Sequence, residues 1–194
     1  MTVKELVRNT CRLDADKDYG TEEIDGTLYV YFHASWTFQD WMRNFLFWAT
    51  NWRYGSKVHT GYLKEFNECV DMSLIFKILQ HQKAVLIGYS RGGAMAILAR
   101  AYAEDLKRKL PTITTSISTI IMGTPRAYRS LPNTSFHNTL EIVYGNDIVR
   151  KLFFWYKENP CTKYLHIESE VKGPFKACKD HGQYITCDVE VTIP

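Results

Sequence analysis

The chain has 194 residues, of which 45% are hydrophobic and 14% aromatic, a composition typical of one compact domain with a sizeable core. Its 24 basic and 21 acidic residues leave a net charge of +3, too nearly balanced to favour a nucleic acid as a partner. Five cysteines without paired spacing indicate neither a zinc site nor a disulfide framework. We therefore expect a single domain over residues 1–194.

Hydropathy along the chain bears on where the protein works. The first twenty residues show no charged leader followed by an apolar stretch, and nowhere do 18 apolar residues run together. We therefore expect a soluble, intracellular protein with no transmembrane segment.

Four short apolar runs predict buried strands, at residues 28–32, 84–87, 117–122 and 140–144. Between the first two runs, apolar residues recur every four positions and predict one amphipathic helix packed on a sheet. These residues are Tyr62, Phe66, Val70, Leu74 and Ile78. After the second run, the composition of residues 94–106 predicts another helix.

Beyond residue 156 the apolar pattern becomes shorter and more polar. Residues 164–168 and 184–191 predict two further strands, which we expect to be antiparallel at a sheet edge. The alternation of strands and helices predicts the α/β class, with a mostly parallel central sheet and helices on both faces.

The second predicted strand leads directly into the sequence Gly-Tyr-Ser-Arg-Gly, which contains a candidate nucleophile, Ser90. A serine on so sharp a strand-to-helix turn has strained backbone, and Gly88 and Gly92 leave the room that the turn needs. The first helical amides and the helix dipole favour the negative charge of an oxyanion there. Two alternatives are a glycine-rich turn without chemistry and a phosphate-binding loop, although no Lys-Ser/Thr pair follows.

A nucleophilic serine needs an imidazole to remove its proton and a carboxylate to orient that imidazole. In this topology the chain order is serine, acid, histidine, and the groups gather where parallel strands end. Asp147 follows a predicted strand and is preferred to Glu141, which lies inside it, although a plain Asn-Asp turn is an alternative. His181, in a polar segment, is preferred to His166, which we expect to be a half-buried strand residue.

Six segments, taken in order, match motifs of one known family. They are Phe32–Ser35 with Asp40–Trp41, Val58–Tyr62, Gly88–Gly93, Met122–Arg126, Asp147–Val149 and His181–Tyr184. On these residues the chain resembles the class 3 lipases of the α/β-hydrolase superfamily. The resemblance implies that Ser90, Asp147 and His181 form a catalytic triad. It also implies that the backbone amides of Ser35 and Arg91 form the oxyanion hole.

Two segments depart from the family pattern. His33 and Ala34 stand where the family has Arg-Gly, and Tyr89 and Arg91 stand where its elbow has His and Leu. The backbone amide of Arg91 can still donate, but we expect its side chain to place a cation beside a pocket that is commonly apolar. That cation would favour acidic or phosphate-bearing headgroups, as in a phospholipase A1-like enzyme.

Aromatic residues crowd residues 36–52, and the family places a lid near the start of this segment. One stripe recurs at helical spacing and is expected to pack into the core; it consists of Trp41, Phe45, Trp48 and Trp52. The remaining apolar residues suit contact with a long acyl chain or, transiently, with a lipid surface. They are Trp36, Phe38, Leu46 and Phe47.

These features together predict a serine carboxylester hydrolase, a lipase or esterase, that cleaves acyl esters of lipids through an acyl-enzyme and requires no cofactor or metal. The same triad would serve a thioesterase or an acyltransferase, which the elbow does not distinguish. The altered oxyanion and elbow residues leave a third hypothesis, a catalytically silent lipid-binding module.

Overall fold

A six-stranded, mostly parallel sheet forms the centre of the fold in the computed structural model. The structure describes residues 1–11, 18–34, 48–131, 136–173 and 175–193, with Tyr54 described by its main chain. The described strands are β1 (Tyr19–Ile24), β2 (Thr27–Phe32), β3 (Ala49–Asn51), β4 (Lys57–His59), β5 (Lys83–Tyr89), β6 (Ser116–Met122), β7 (Tyr128–Ser130), β8 (Thr139–Tyr144) and β9 (Lys163–Ile167). The central sheet has the order β1-β2-β5-β6-β8-β9, and β1 pairs with β2 in the antiparallel sense.

The described helices are α1 (Val3–Cys11), α2 (Thr60–Cys69), α3 (Met72–Gln80), α4 (Arg91–Lys109) and α5 (Lys176–Gly182). Short 3-10 turns occupy Arg53–Gly55, Val149–Lys151 and Gln183–Thr186. Strands β3, β4 and β7 form a second, small antiparallel sheet.

Helices cover both faces of the central sheet, because successive residues of each strand point to opposite sides. On one face, Leu86 of β5 joins a buried cluster with Phe66 of α2 and Ile97 of α4. On the other face, Ile87 joins a cluster with Leu6 of α1. Full burial of such a side chain stabilises the fold by about 1.5 to 3 kcal/mol. The predicted α/β class with helices on both faces is confirmed.

The four predicted parallel strands are confirmed, with ends within two residues of those expected. In the tail, the strand predicted at residues 164–168 is also confirmed as an edge strand of the central sheet, but its predicted antiparallel direction and the strand predicted at residues 184–191 were wrong. Strand β9 runs parallel to β8, because residues 145–162 are long enough for the crossover that a parallel pair requires. Residues 184–191 do not form a strand. They begin as a 3-10 turn and then make a single bridge, from Glu190 to Thr2 beside α1.

The single helix predicted through Tyr62 and Ile78 is in fact two helices, α2 and α3. The apolar residues at that spacing are all buried in one cluster, so the pattern identified the buried face correctly. The helix is interrupted because Asp71 caps a new one, its Oδ1 accepting from the Leu74 amide at 2.9 Å. The apolar residues keep a spacing of four across the break because both helices bury their apolar faces in the same cluster.

Of the predicted aromatic stripe, the structure describes two residues: the expected packing against the core is wrong for Trp48 and confirmed for Trp52, although neither lies in an α-helix. Trp48 is 76% exposed and precedes β3. Trp52 precedes a 3-10 turn and packs edge-on against Phe66 and Tyr102, at 5.9 and 6.5 Å between ring centroids. The other two stripe residues, and the four predicted lipid-contact residues Trp36, Phe38, Leu46 and Phe47, lie outside the described residues.

The cap of α3 makes a testable prediction about stability. Hydrogen bonds from the Leu74 amide and the Ser73 hydroxyl lower the pKa of Asp71. The contribution of this carboxylate to the stability of the fold is therefore fully present above its pKa in the unfolded chain, about 3.9. That contribution is lost as the pH falls through the lower pKa of the folded protein. We expect Asp71→Ala to lower the melting temperature at neutral pH by about 2 to 4 °C. Scanning calorimetry should show the difference shrinking in acid. Asp71→Asn, which keeps the cap without titrating, is the control; equal losses for both variants would contradict the prediction.

Candidate active site

The candidate catalytic side chains meet at the carboxyl-terminal edge of the central sheet. Ser90 stands between β5 and α4, Asp147 follows β8, and His181 lies in the last turn of α5. Parallel strands present their carboxyl ends along one edge, so residues far apart in sequence reach the same place.

Close packing of main chain shapes the turn that holds Ser90. Its backbone has φ 53° and ψ −124°, a conformation that non-glycine residues rarely adopt. A Cβ atom at Gly88 would overlap the carbonyl of Gly92, and one at Gly92 would overlap the carbonyl of Phe32. The Ser90 amide donates to the Met122 carbonyl at 2.8 Å, which joins the turn to β6. The hydroxyl is thereby held at the sheet edge.

Hydrogen-bond distances join the three predicted triad residues. The Ser90 Oγ lies 3.1 Å from Nε2 of His181, and Nδ1 of His181 lies 2.9 and 3.0 Å from the two carboxylate oxygens of Asp147. The Asp147 side chain is fully buried, whereas that of His181 is 19% exposed. This pattern favours the tautomer in which Nδ1–H donates to the carboxylate and Nε2 accepts from the serine.

The Asp147 carboxylate has two further donors. The Val149 amide donates to Oδ1 at 2.8 Å, and the Tyr184 hydroxyl donates to Oδ2 at 3.0 Å. Burial and the Asp147 charge raise the pKa of Tyr184, so its hydroxyl stays protonated and able to donate. These bonds compensate for burying a charged group and fix the carboxylate toward His181.

A second carboxylate, Asp180, holds the acid loop against the helix that carries the histidine. It is fully buried, accepts from the Asn146 amide at 2.8 Å and also accepts from the Ser169 hydroxyl. Gly145 has φ +54°, and a Cβ there would overlap Asp180. Asp180 therefore helps to set the distance between Asp147 and His181. It is not itself a member of the hydrogen-bonded chain Ser90–His181–Asp147.

Of the two predicted oxyanion donors, the structure describes Arg91, the first residue of α4; Ser35 lies outside the described residues. The Arg91 guanidinium forms an ion pair with Glu65 of α2, and these side chains are 12% and 20% exposed. Its Nη2 also lies 3.3 Å from Nδ1 of His33 and donates to the His33 carbonyl at 3.5 Å. The Arg91 cation therefore has a carboxylate partner within the fold, and its preference for acidic headgroups stays a prediction.

Two rejected candidates have other partners. Glu141 is buried in β8, with Oε1 at 3.1 Å from Nε of Arg150 and 3.3 Å from Nδ2 of Asn159. His166 is exposed rather than half-buried, and its Nε2 lies 2.9 Å from the Gly145 carbonyl.

Sequence reasoning missed the supporting contacts of Asp180 and Glu65, and those of Tyr89, whose hydroxyl donates to the main-chain carbonyl of His181. The position of Asp180 beside His181, and the departure of Tyr89 from the family elbow, were visible signals. For Glu65 no local signal existed, because its partner is 26 positions away (91 − 65) and the two meet through helix packing.

Among the described ranges, no helix has the length and apolar character needed to span a membrane. The fold and the site geometry define an α/β-hydrolase of the serine type. A family model described as lipase (class 3) matches residues 29–157, and the chain therefore belongs to the class 3 lipase family.

Solved lipase structures share the fold. The lipase of Rhizopus microsporus var. chinensis superposes with a TM-score of 0.61 at 20% identity, covering 96% of this chain and 88% of that one. A fungal lipase–inhibitor complex gives 0.55 at 20% identity, covering 77% and 71%. The Rhizomucor miehei lipase–propeptide complex gives 0.51 at 19% identity, covering 77% of this chain and 60% of that one. No curated protein matches the chain.

The Tyr184 hydroxyl provides a test of how the acid is held. We expect Tyr184→Phe to lower kcat for a soluble ester about 10-fold to 100-fold with little change in KM, because one charge-assisted hydrogen bond to Asp147 is lost. Steady-state kinetics on a chromogenic short-chain ester measures both constants. Tyr128→Phe, which removes a buried hydroxyl bonded to the Glu158 carbonyl, is the matched control. A rise in KM at constant kcat would contradict this role.

Proposed function

We propose that this protein is a serine carboxylester hydrolase that cleaves the acyl esters of lipids. The observation that supports this most strongly is the hydrogen-bonded chain from Ser90 through His181 to a buried Asp147, with the serine on a strained turn. Membership of the class 3 lipase family supports the substrate class.

In the proposed acylation step, Ser90 Oγ attacks the carbonyl carbon of the ester and its proton passes to Nε2 of His181. Asp147 stabilises the imidazolium that forms. The carbonyl oxygen becomes an oxyanion, which the backbone amide of Arg91 stabilises at the positive end of α4. As the intermediate collapses, His181 gives the proton to the leaving alcohol and an acyl-serine remains.

Water completes the cycle. His181 takes a proton from a water molecule, whose oxygen attacks the acyl carbonyl, and a second oxyanion forms in the same place. Collapse returns the proton to Ser90 Oγ and releases the carboxylic acid. Every proton transfer in this cycle uses Nε2 of His181.

Two features bear on the substrate. An unbalanced charge on Arg91 would favour a phosphate-bearing headgroup, but Glu65 already balances that charge. Neutral acyl esters are therefore the substrates that we propose first. A phospholipase A1-like activity is the alternative, and hydrolysis of phospholipids would reveal it.

Contact with a lipid surface is supported by an exposed aromatic pair in the segment that follows the acid. Phe154 and Trp155 are 74% and 43% exposed, and their rings meet edge-on at 4.9 Å. Arg126 Nη1 holds their main chain, donating to the carbonyls of Phe154 and Tyr156 at 3.1 and 3.2 Å. Two large aromatic side chains presented on a braced loop suit insertion into a lipid interface.

Replacement of the nucleophile tests the proposed reaction. We expect Ser90→Ala to lower kcat by about three to six powers of ten while the protein stays folded, because no acyl-enzyme can form. Intact-mass spectrometry should show one fluorophosphonate adduct on the wild type and none on this variant. Ser73→Ala, which removes an exposed hydroxyl on α3, is the control. Ester hydrolysis retained by Ser90→Ala would reject the assignment.

Substrate assays and labelling of the wild-type protein distinguish the alternative functions. A panel of esters, phospholipids, acyl thioesters and alcohol acceptors separates a hydrolase of neutral lipids from a phospholipase, a thioesterase or an acyltransferase. Well-folded wild-type protein that takes no fluorophosphonate label would favour a lipid-binding module without catalysis.

The aromatic pair makes a separate prediction. We expect the double variant Phe154→Ser, Trp155→Ser to hydrolyse a monomeric short-chain ester normally but to lose about tenfold or more activity on an emulsified long-chain ester, since two large apolar side chains no longer enter the lipid. Activity at substrate concentrations below and above aggregation measures this. Phe76→Ser, at a side chain 48% exposed on α3, is the matched control; equal loss on both substrates would contradict the role.

A further inference from the structure

The ring of Tyr89 lies against the ring of the catalytic base. The centroids of Tyr89 and His181 are 5.1 Å apart and the two planes differ by 22°, which is a stacked arrangement. Tyr89 is 7% exposed and is the last residue of β5, directly before the nucleophile. The imidazole therefore rests on a side chain supplied by the same turn that supplies Ser90.

The Tyr89 hydroxyl makes a second, separate contact, donating to the main-chain carbonyl of His181. The last carbonyls of a helix have no partner within that helix, and α5 ends at Gly182. Burial and the Asp147 charge raise the pKa of Tyr89, so the hydroxyl keeps its proton and remains a donor. One side chain thus holds both the ring and the main chain of His181.

Among the residues that the structure describes, few polar groups face the imidazole from the elements around it. Asp147 contacts Nδ1 from the loop after β8, Ser90 contacts Nε2 from the turn after β5, and Tyr184 presents its ring edge-on at 6.2 Å from the 3-10 turn after α5. Within α5 itself, Asp180 is directed at the Asn146 amide. Tyr89 is the group whose ring is stacked on the imidazole.

We propose that Tyr89 is a positioning residue for the base of the proposed hydrolase: its hydroxyl holds the main chain of His181, and its ring face sets the imidazole plane and stabilises the imidazolium formed during turnover. A cation lying within about 6 Å of an aromatic centroid, over the ring face, is attracted by the ring quadrupole. Neutral imidazole gains less, so the interaction grows as Ser90 transfers its proton.

Two substitutions separate the two contacts. Tyr89→Phe keeps the ring and removes the hydroxyl, whereas Tyr89→Leu removes both. We expect Tyr89→Phe to lower kcat about twofold to tenfold, with the pH dependence unchanged. We expect Tyr89→Leu to lower kcat about fivefold to thirtyfold further and to move the acid side of the kcat/KM profile to lower pH by about half a unit to one unit. KM should change little in either variant.

The direction of the pH change follows from the charge. Stacking favours the protonated imidazole, so removing the ring makes protonation require more acid. A residue that only filled space would lower the melting temperature without moving the acid side of the profile. Tyr102→Phe and Tyr102→Leu, at a tyrosine of α4 that is 8% exposed, provide matched controls for loss of a hydroxyl and of a ring.

The experiment combines steady-state kinetics between pH 5 and 9 with NMR titration of the imidazole signals, His181 being assigned by its absence in His181→Asn. The NMR titration does not depend on turnover. It therefore tests the stacking even if no ester is hydrolysed, an outcome that would reject the proposed function instead. Should Tyr89→Leu fail to fold, Tyr89→Phe still tests the hydroxyl contact. The proposal is overturned if the His181 titration and the kinetic profile are the same in wild type and Tyr89→Leu, or if folded Tyr89→Phe retains full kcat.

Discussion

The close approach of three stretches of main chain at the elbow is the constraint on which the rest of the site depends. Gly88, Gly92 and the end of β2 at Phe32 pack so closely that side chains at the two glycines would overlap neighbouring carbonyls. This packing, together with the hydrogen bond from the Ser90 amide to the Met122 carbonyl, holds Ser90 at its positive φ at the edge of the sheet. It also places the first turn of α4 directly against the end of β2.

The acid and the base are held in place by a different requirement, which is that buried polar groups have hydrogen-bond partners. Asp147 is fully buried, and its oxygens accept from His181, Val149 and Tyr184. Val149 lies in the same loop as Asp147, whereas His181 and Tyr184 come from α5 and the turn that follows it, so satisfying one carboxylate also fixes that C-terminal segment against the acid loop. Asp180 repeats this arrangement beside it, joining α5 to the loop that carries the acid.

The departures from the family elbow are accommodated by partners elsewhere in the fold. The arginine that replaces leucine in the elbow is paired with Glu65 of α2 and reaches the carbonyl of His33. The tyrosine that replaces histidine contacts His181 through both its ring and its hydroxyl. The elbow of this chain therefore keeps its two glycines and differs from the family pattern in two side chains. Arg91 reaches the residue that follows β2, and Tyr89 contacts the base.

Sequence by itself determined the four parallel strands β2, β5, β6 and β8, the buried faces and the three residues that come together, because apolar periodicity, the loops at strand ends and the glycines around Ser90 are visible in the chain. Local pattern predicted one helix where Asp71 begins a second, because both helices bury the same face. It also predicted the wrong direction for β9, because a crossover connection decides strand direction. Only the tertiary structure decided that Glu65 balances Arg91 and that Tyr89 lies against His181. These contacts join residues from separate elements, and their existence depends on how the helices pack on the sheet and not on any spacing along the chain.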